Sequence, residues 1–405
     1  MRLGLSPLSH AVAFVFGAYG IGLFLLGPSL TAIAATYDVS LKIAGLFFAA
    51  FAVGFLVCVF PAGYLYERVS RKWTVAGGAA LIACSLLFFA AGPAIGPQPR
   101  FAVAFAAMAL LGMGGGLLEV AGNAMMADLN PARTALAVNY AHALLAVGAI
   151  LGPWMAGQIM QAGLSWQIPY AIAGGGCLIA MAALAVQREP PAPTTKRMGL
   201  ADMRALLGRL VVWVAVAGIT LYVAAETGVV GWVPAFMEQS LHASKTASSN
   251  IVSVFWLAMT VGRVICTVAA ARFRPQVFVV VLCALGAAAS YGIGASHSQA
   301  TCYLLVALSG LAFSGIFGMV LAHAATELGQ YLGAAYGVII SGVFLGSLVF
   351  PPAMGWIGEA SSMRLALAVP SALLALQTLL YFPYVIGRRH PAALSDPPAC
   401  TAGRR

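Results

Sequence analysis

The chain has 405 residues, of which 61% are hydrophobic and only 8% charged, with a formal net charge of +10. Soluble globular proteins carry about 25% charged residues, so this composition cannot cover a water-facing surface. A soluble enzyme, a disordered chain and a collagen-like rod are excluded, which leaves an all-α protein that crosses a membrane many times.

A hydrocarbon core of about 30 Å takes about 20 apolar helical residues per crossing. Apolar runs broken by Gly, Pro or charge predict twelve spans. In the first half they cover 10–36, 41–66, 73–93, 101–127, 134–160 and 168–187. In the second half they cover 210–237, 246–271, 276–296, 301–326, 332–358 and 364–387. Arg2 precedes a long apolar stretch that no small-residue cleavage signature closes, so this stretch reads as a retained first helix. Six of the seven cysteines lie inside apolar runs and read as small hydrophobes rather than a disulfide framework.

The one long polar connection is 188–209, rich in Pro and Arg. It divides the chain into a six-helix bundle over 1–187, a linker over 188–209, a second bundle over 210–387 and a tail over 388–405. The cations are unevenly placed. Arg2, Arg68, Arg71, Lys72, Arg133, Arg272 and Arg274 share one side with the cations of the linker and tail, whereas Lys42, Arg100, Lys245 and Arg364 fall on the other. The positive-inside rule then puts both termini in the cytoplasm, and the expected location is a bacterial-type inner membrane, as a multi-pass protein. The positive charge marks this face and needs no nucleic acid to explain it.

The halves repeat one another. Val53, Gly54 and Cys58 recur as Val261, Gly262 and Cys266, and Asp128, Ala135 and Pro153 recur as Glu327, Ala334 and Pro352. Two parallel six-helix repeats are the arrangement of major facilitator transporters. No phosphate-cradling G-x-x-x-x-G-K-[ST] occurs, so ATP is not expected to drive the protein.

The loop after the second span reads Gly63-Tyr64-Leu65-Tyr66-Glu67-Arg68-Val69-Ser70-Arg71-Lys72. It resembles the G-x-x-x-D-R-x-G-R-R signature of the major facilitator superfamily, with Glu for Asp and Ser for the second Gly. The resemblance implies a cytoplasmic gate of Glu67, Arg68 and Arg71 with Asp128, repeated by Arg274 (or Arg272) with Glu327. Solvated loop charges are the alternative.

A narrower resemblance lies in the fourth, fifth, seventh and eighth spans. The segments are Gly112-Met113-Gly114-Gly115-Gly116-Leu117-Leu118-Glu119, Asn139-Tyr140-Ala141-His142, Glu226-Thr227-Gly228 and Phe255-Trp256-Leu257 through Arg263. They are similar to the fucose–galactose–glucose:proton symporter branch and its sodium-dependent glucose transporter-like relatives. On that resemblance Glu119 takes the place of a proton-coupling glutamate. The aspartate that the fucose symporter carries in its first helix has no counterpart in 11–37.

The residues themselves point the same way. Glu119 lies nine residues before Asp128, and His142 nine after Arg133, so each sits about 13 Å inside its helix. Glu226 and Arg263 are likewise far from their helix ends. A charge at the bilayer centre costs at least about 2.5–3.5 kcal/mol, so such residues face a cavity or each other. Burial favours the neutral form of a carboxyl, which suits an acid that loads and releases a proton.

Glu119, Glu226 and His142 are therefore the candidate proton-coupling residues. Asn123, Asn139, Tyr140, His142, Tyr222, Trp232, Trp256 and Arg263 are the candidate solute contacts, the aromatic ones by stacking or by plain packing. Glu119 could also pair structurally with His142, and Glu226 with Arg263. The expected activity is secondary transport of a small polar solute such as a monosaccharide, with H+ or Na+ as coupling ion. No cofactor or metal and no partner beyond solute and lipid are expected, and the protein is expected to be a monomer. A proton-driven exporter of drugs or metabolites is the alternative. An enzyme is disfavoured, because so few polar residues form no metal cluster or nucleophile–base pair.

Overall fold

The first span is broken by its own sequence. Pro28 has no N–H to give the preceding turn and fits best in the first turn of a helix, so the chain stops at Leu23 and restarts at Leu26. The two pieces of α1, Pro7–Leu23 and Leu26–Tyr37, meet at 47°, where a single run over 10–36 was expected.

The computed structural model describes residues 5–94, 100–189, 206–270, 273–328 and 332–386. Among these residues every regular element is a helix. A short turn leads into α2 (Leu46–Arg68), which is followed by α3 (Arg71–Ala91). The fourth span, α4, runs from Arg100 to Leu117, passes through a π turn at Leu118–Gly122 and ends as Asn123–Leu129. Then come α5 (Thr134–Gln161) and α6 (Gln167–Ala185). The second half holds α7 (Leu210–Ser240), α8 (Lys245–Ala270), α9 (Pro275–Ala295) and α10 (Gln299–Phe313, resumed as Ile316–Leu328). It closes with α11 (Leu332–Ala360) and α12 (Ala368–Ile386).

Among the described residues eleven helices are long and apolar enough to cross a membrane, or twelve with the bent pair counted as one span. Most of the expected linker and tail, 190–205 and 388–405, lies outside the described residues.

Serine starts several of these apolar helices. Ser6, Ser70, Ser298 and Ser362 each accept a backbone N–H from the first turn, which satisfies a donor that the helix itself cannot. Ser70 stands where the signature has glycine, so its role at the start of α3 accounts for that departure.

Within each half the helices approach closely over glycine. A side chain on Gly148 of α5 would run into the backbone of α1, and one on Gly342 or Gly346 would run into the backbone of α7. Small residues give apolar helices in a bilayer the close contact that hydrophobic burial cannot supply there. Helices α1–α6 pack among themselves, as do α7–α12. The halves meet along α5 with α8, α2 with α11, and α1 with α7. We call the end where α1 begins the near face and the opposite end the far face.

Candidate functional site

The π turn in α4 sets up the site. Widening the helix at Leu118–Gly122 re-aims the side chains within it, and such turns recur at functional positions. Glu119 lies in this turn, half-buried. Its Oε2 accepts the Asn123 amide at 3.0 Å, and its main-chain oxygen accepts the same Nδ2 at 2.7 Å.

With the nitrogen committed twice, Asn123 turns Oδ1 toward His142 Nε2 at 3.0 Å. An amide oxygen only accepts, so the imidazole must carry its proton on Nε2. The expected direct contact of Glu119 with His142 is thus a relay through Asn123. Phe16 of α1 packs on the His142 ring at 5.4 Å. The Tyr19 hydroxyl occupies the space beside Gly115, where no side chain could stand, and Tyr19 also feels the charge of Glu119. Gly115 thus lets α1 in, while Gly112 and Gly116 face α2 and Gly114 faces α3.

The second group is on α7 and α8. Tyr222 and Glu226 are one turn apart and interact, and Arg263 acts electrostatically on both. Arg263 is exposed and donates to Met259 Sδ at 3.5 Å. It forms no closed ion pair with Glu226 among the described residues.

Other expected contacts fall elsewhere. Tyr140 hydrogen-bonds His10 at 3.1 Å, nearer the near face, and Asn139 beside it is exposed. Trp232 is fully buried, its Nε1 bound to the Pro351 carbonyl at 2.9 Å and its ring wedged against Gly45 and Gly355. It packs α7 against α2 and α11 and offers no open ring face. Trp256 is 3% exposed and lies against Phe24 at 4.3 Å, so that aromatic face is already covered. Its indole N–H is buried with no hydrogen-bond partner among the described residues.

At the near face Arg71, not Arg68, approaches Asp128, at 3.6 Å. Asp128 also accepts the Tyr66 hydroxyl at 2.7 Å, and Arg71 Nε donates to Glu189 at 3.1 Å. Arg68 sits over the Tyr64 ring, and Glu67 is exposed. Among the described residues the second half does not repeat this pattern. Arg274 donates to the Tyr384 carbonyl at 3.2 Å, and exposed Glu327 receives Arg209 on its main-chain oxygen. Arg272 lies outside the described residues.

Sequence reasoning missed the polar contacts across the far face. Glu238 of α7 accepts the Thr31 hydroxyl of α1 at 2.8 Å, the Lys245 ammonium and the Ser248 hydroxyl at 2.9 Å. Lys42 pairs with Glu359 at 3.2 Å and lies 4.4 Å from the centre of the Trp356 ring. Below them the Ser253 hydroxyl of α8 donates to the Ile150 carbonyl of α5, and Phe55 meets Phe344 at 4.3 Å. The signal was present: Lys42 and Lys245 are far-face cations, and each faces an acid at the end of a span.

The fold has close counterparts. A bacterial homolog of the human lysosomal transporter Spinster, inward-facing and unoccupied, superposes with a TM-score of 0.79 at 13% identity, over 94% of this chain and 97% of that one. A D-xylose-proton symporter gives 0.75 at 16% identity over 93% and 96%. The fucose:proton symporter of E. coli gives 0.64 at 17% identity over 92% and 97%. No curated protein sequence matches the chain. The model of the Major Facilitator Superfamily matches residues 12–329 and 217–400, together nearly the whole length. This chain belongs to the Major Facilitator Superfamily, a family of membrane transporters rather than enzymes.

Proposed function

We propose that the protein carries a small polar solute of the monosaccharide class together with a proton, by alternating access between its two halves. The observation that carries this reading is the Glu119–Asn123–His142 relay: an acid, an amide and an imidazole joined at a π turn deep within apolar helices. A lone carboxylate there would be expensive, and one that cycles between protonated and solute-bound states has a reason to be there. Glu119 takes the proton, Asn123 and His142 hold a solute hydroxyl, and Tyr222, Glu226 and Arg263 receive the other side of the solute. Two of the structural counterparts are named as sugar:proton symporters, which supports the solute class.

The excess of Lys and Arg at the near face supports a cytoplasmic near face in a plasma-type membrane. On that orientation the far-face contacts close the outer side. The Arg71–Asp128–Tyr66 group then bounds the inner mouth. One proton moving down 100 mV supplies about 2.3 kcal/mol, roughly a fifty-fold accumulation.

The test is uptake of a monosaccharide panel by proteoliposomes under an imposed pH gradient, with and without sodium. Glu119→Gln should abolish uphill accumulation yet retain solute exchange. Accumulation that survives the substitution removes the coupling role. Outward, proton-opposed flux of an amphipathic toxic compound, with no sugar uptake, favours an exporter instead.

A further inference from the structure

A second cluster of polar side chains is buried in the C-terminal half, away from the Glu119 group. His323 on α10 is 1% exposed, and Gln377 and Tyr381 on α12 are at 0%. His323 Nε2, both polar atoms of the Gln377 amide, the Tyr381 hydroxyl and Gln276 Oε1 on α9 all lack a hydrogen-bond partner among the described residues.

These groups converge. The His323 ring is 5.6 Å from the Tyr381 ring and 4.9 Å from that of Tyr384. Gln276 Nε2 reaches His323 Nδ1 at 2.8 Å. Gln377 lies one turn from Tyr381 on the same helix face. The Tyr381 hydroxyl points at α7, where a Cβ on Gly218 would stand 2.8 Å from it. Buried polar groups in native proteins are satisfied by protein or by ordered water, and five orphans in one place call for water.

We infer that these side chains enclose a hydrated chamber in which His323 binds a proton, at a site separate from the Glu119 relay. As placed, the Gln276 amide donates to Nδ1, so the neutral imidazole carries its hydrogen on Nε2, where a chamber water can accept it. Protonation moves one proton from hydronium to the imidazole and leaves a water behind. With N–H on both nitrogens, Nδ1 can no longer accept, so the Gln276 amide turns over and presents its orphaned Oε1. Both tyrosine rings lie edge-on to the imidazole, Tyr381 at 71° and Tyr384 at 65°. The charged groups acting on His323 are Glu327, one turn along α10, and Arg274 at the start of α9. Among the described residues its ring contacts on α12 are Tyr381 and Tyr384, and the Tyr381 hydroxyl in turn faces uncharged Gly218 of α7.

The experiment is NMR of the full-length protein in lipid nanodiscs, with its six histidines 15N-labelled. His323→Gln assigns the His323 signals, and Gln276→Ala assigns them should that variant not fold. Exchange peaks between water and the His323 imidazole are expected, with titration inside about pH 5–8. Tyr381→Phe should move the midpoint by about one pH unit, the usual spread among histidine environments, and Glu119→Gln should leave it in place. An imidazole without water contact, or one that keeps a single neutral form throughout that range, overturns the site. A midpoint that moves as far with Glu119→Gln as with Tyr381→Phe overturns its separateness.

Discussion

Asn123 joins Glu119 to His142: its amide nitrogen is held by the Glu119 carboxylate at 3.0 Å while its oxygen faces the His142 imidazole at 3.0 Å. One residue thus fixes both the orientation of the acid and the tautomer of the base. Asn123→Leu keeps the volume and removes both bonds. Net losses of about 0.5–1.5 kcal/mol per bond, and more where a charge is involved, predict solute binding weakened at least tenfold. Asn123→Asp adds a second carboxylate one turn from the first and should weaken binding most at high pH. Equilibrium binding by calorimetry, on whichever sugar the transport panel selects, reads both. Unchanged affinity in Asn123→Leu would show that the relay serves the helices alone.

Glu238 is the hub of the far-face contacts, with partners on α1 and α8 and a side chain only 13% exposed. Lys42–Glu359 crosses the same face with 26% and 42% exposure, and exposed pairs contribute little. Glu238→Gln should therefore shift the open–closed balance by about tenfold, or about 1.4 kcal/mol, and Lys42→Ala by much less. Spin labels at exposed Ser165 and Gln239, in a background lacking the native cysteines, report the distance between halves in nanodiscs. Equal shifts from the two variants would contradict this ranking.

Composition and span length made the helical membrane fold legible, and the Gly-rich run before Glu119 already marked α4 as unusual. Depth along a helix was legible too, because it needs only a residue count. What each side chain touches was not. The i to i+4 spacing of Glu119 and Asn123 anticipated their contact, yet nothing in sequence showed the π turn. Trp232 and Trp256 carry the same aromatic label as a stacking platform, and only their placement between helices shows that one is sealed and the other covered. Glu327 matches Asp128 by offset and Arg274 lies in the corresponding loop, but neither fact fixes where a flexible Arg points. The Tyr384 carbonyl took it.

Arg71 is the residue whose loss should destabilise the near face most. Its side chain is 8% exposed and stands between Asp128 and Glu189, which are 23% and 24% exposed. Arg71→Ala leaves two carboxylates facing each other with no cation between them. Breaking a fully buried pair costs about 3–5 kcal/mol. Partial solvent access reduces this to about 1–3 kcal/mol, enough to lower the melting temperature by several degrees. Adding Asp128→Asn should recover part of the loss, since it removes one of the unpaired charges. A double variant no more stable than Arg71→Ala alone would place the effect elsewhere, such as in the packing of the guanidinium.

Gly27 offers a way to push the balance without touching a charge. It faces α7 across the interface between halves, where an added Cβ would lie 2.5 Å from the Val230 carbonyl and 3.1 Å from the Gly231 Cα. Both obstacles are backbone, so neither can rotate away. Overpacking of this kind costs about 1–3 kcal/mol, and the strain exists only while the far face is closed. Gly27→Val should then favour separation of the far face by about fivefold to a hundredfold, read as a longer Ser165–Gln239 distance. Its melting temperature should stay near that of the parent, because each half keeps its own packing. A variant that melts early with an unchanged distance would mean that the contact supports folding of α1 rather than closure between the halves.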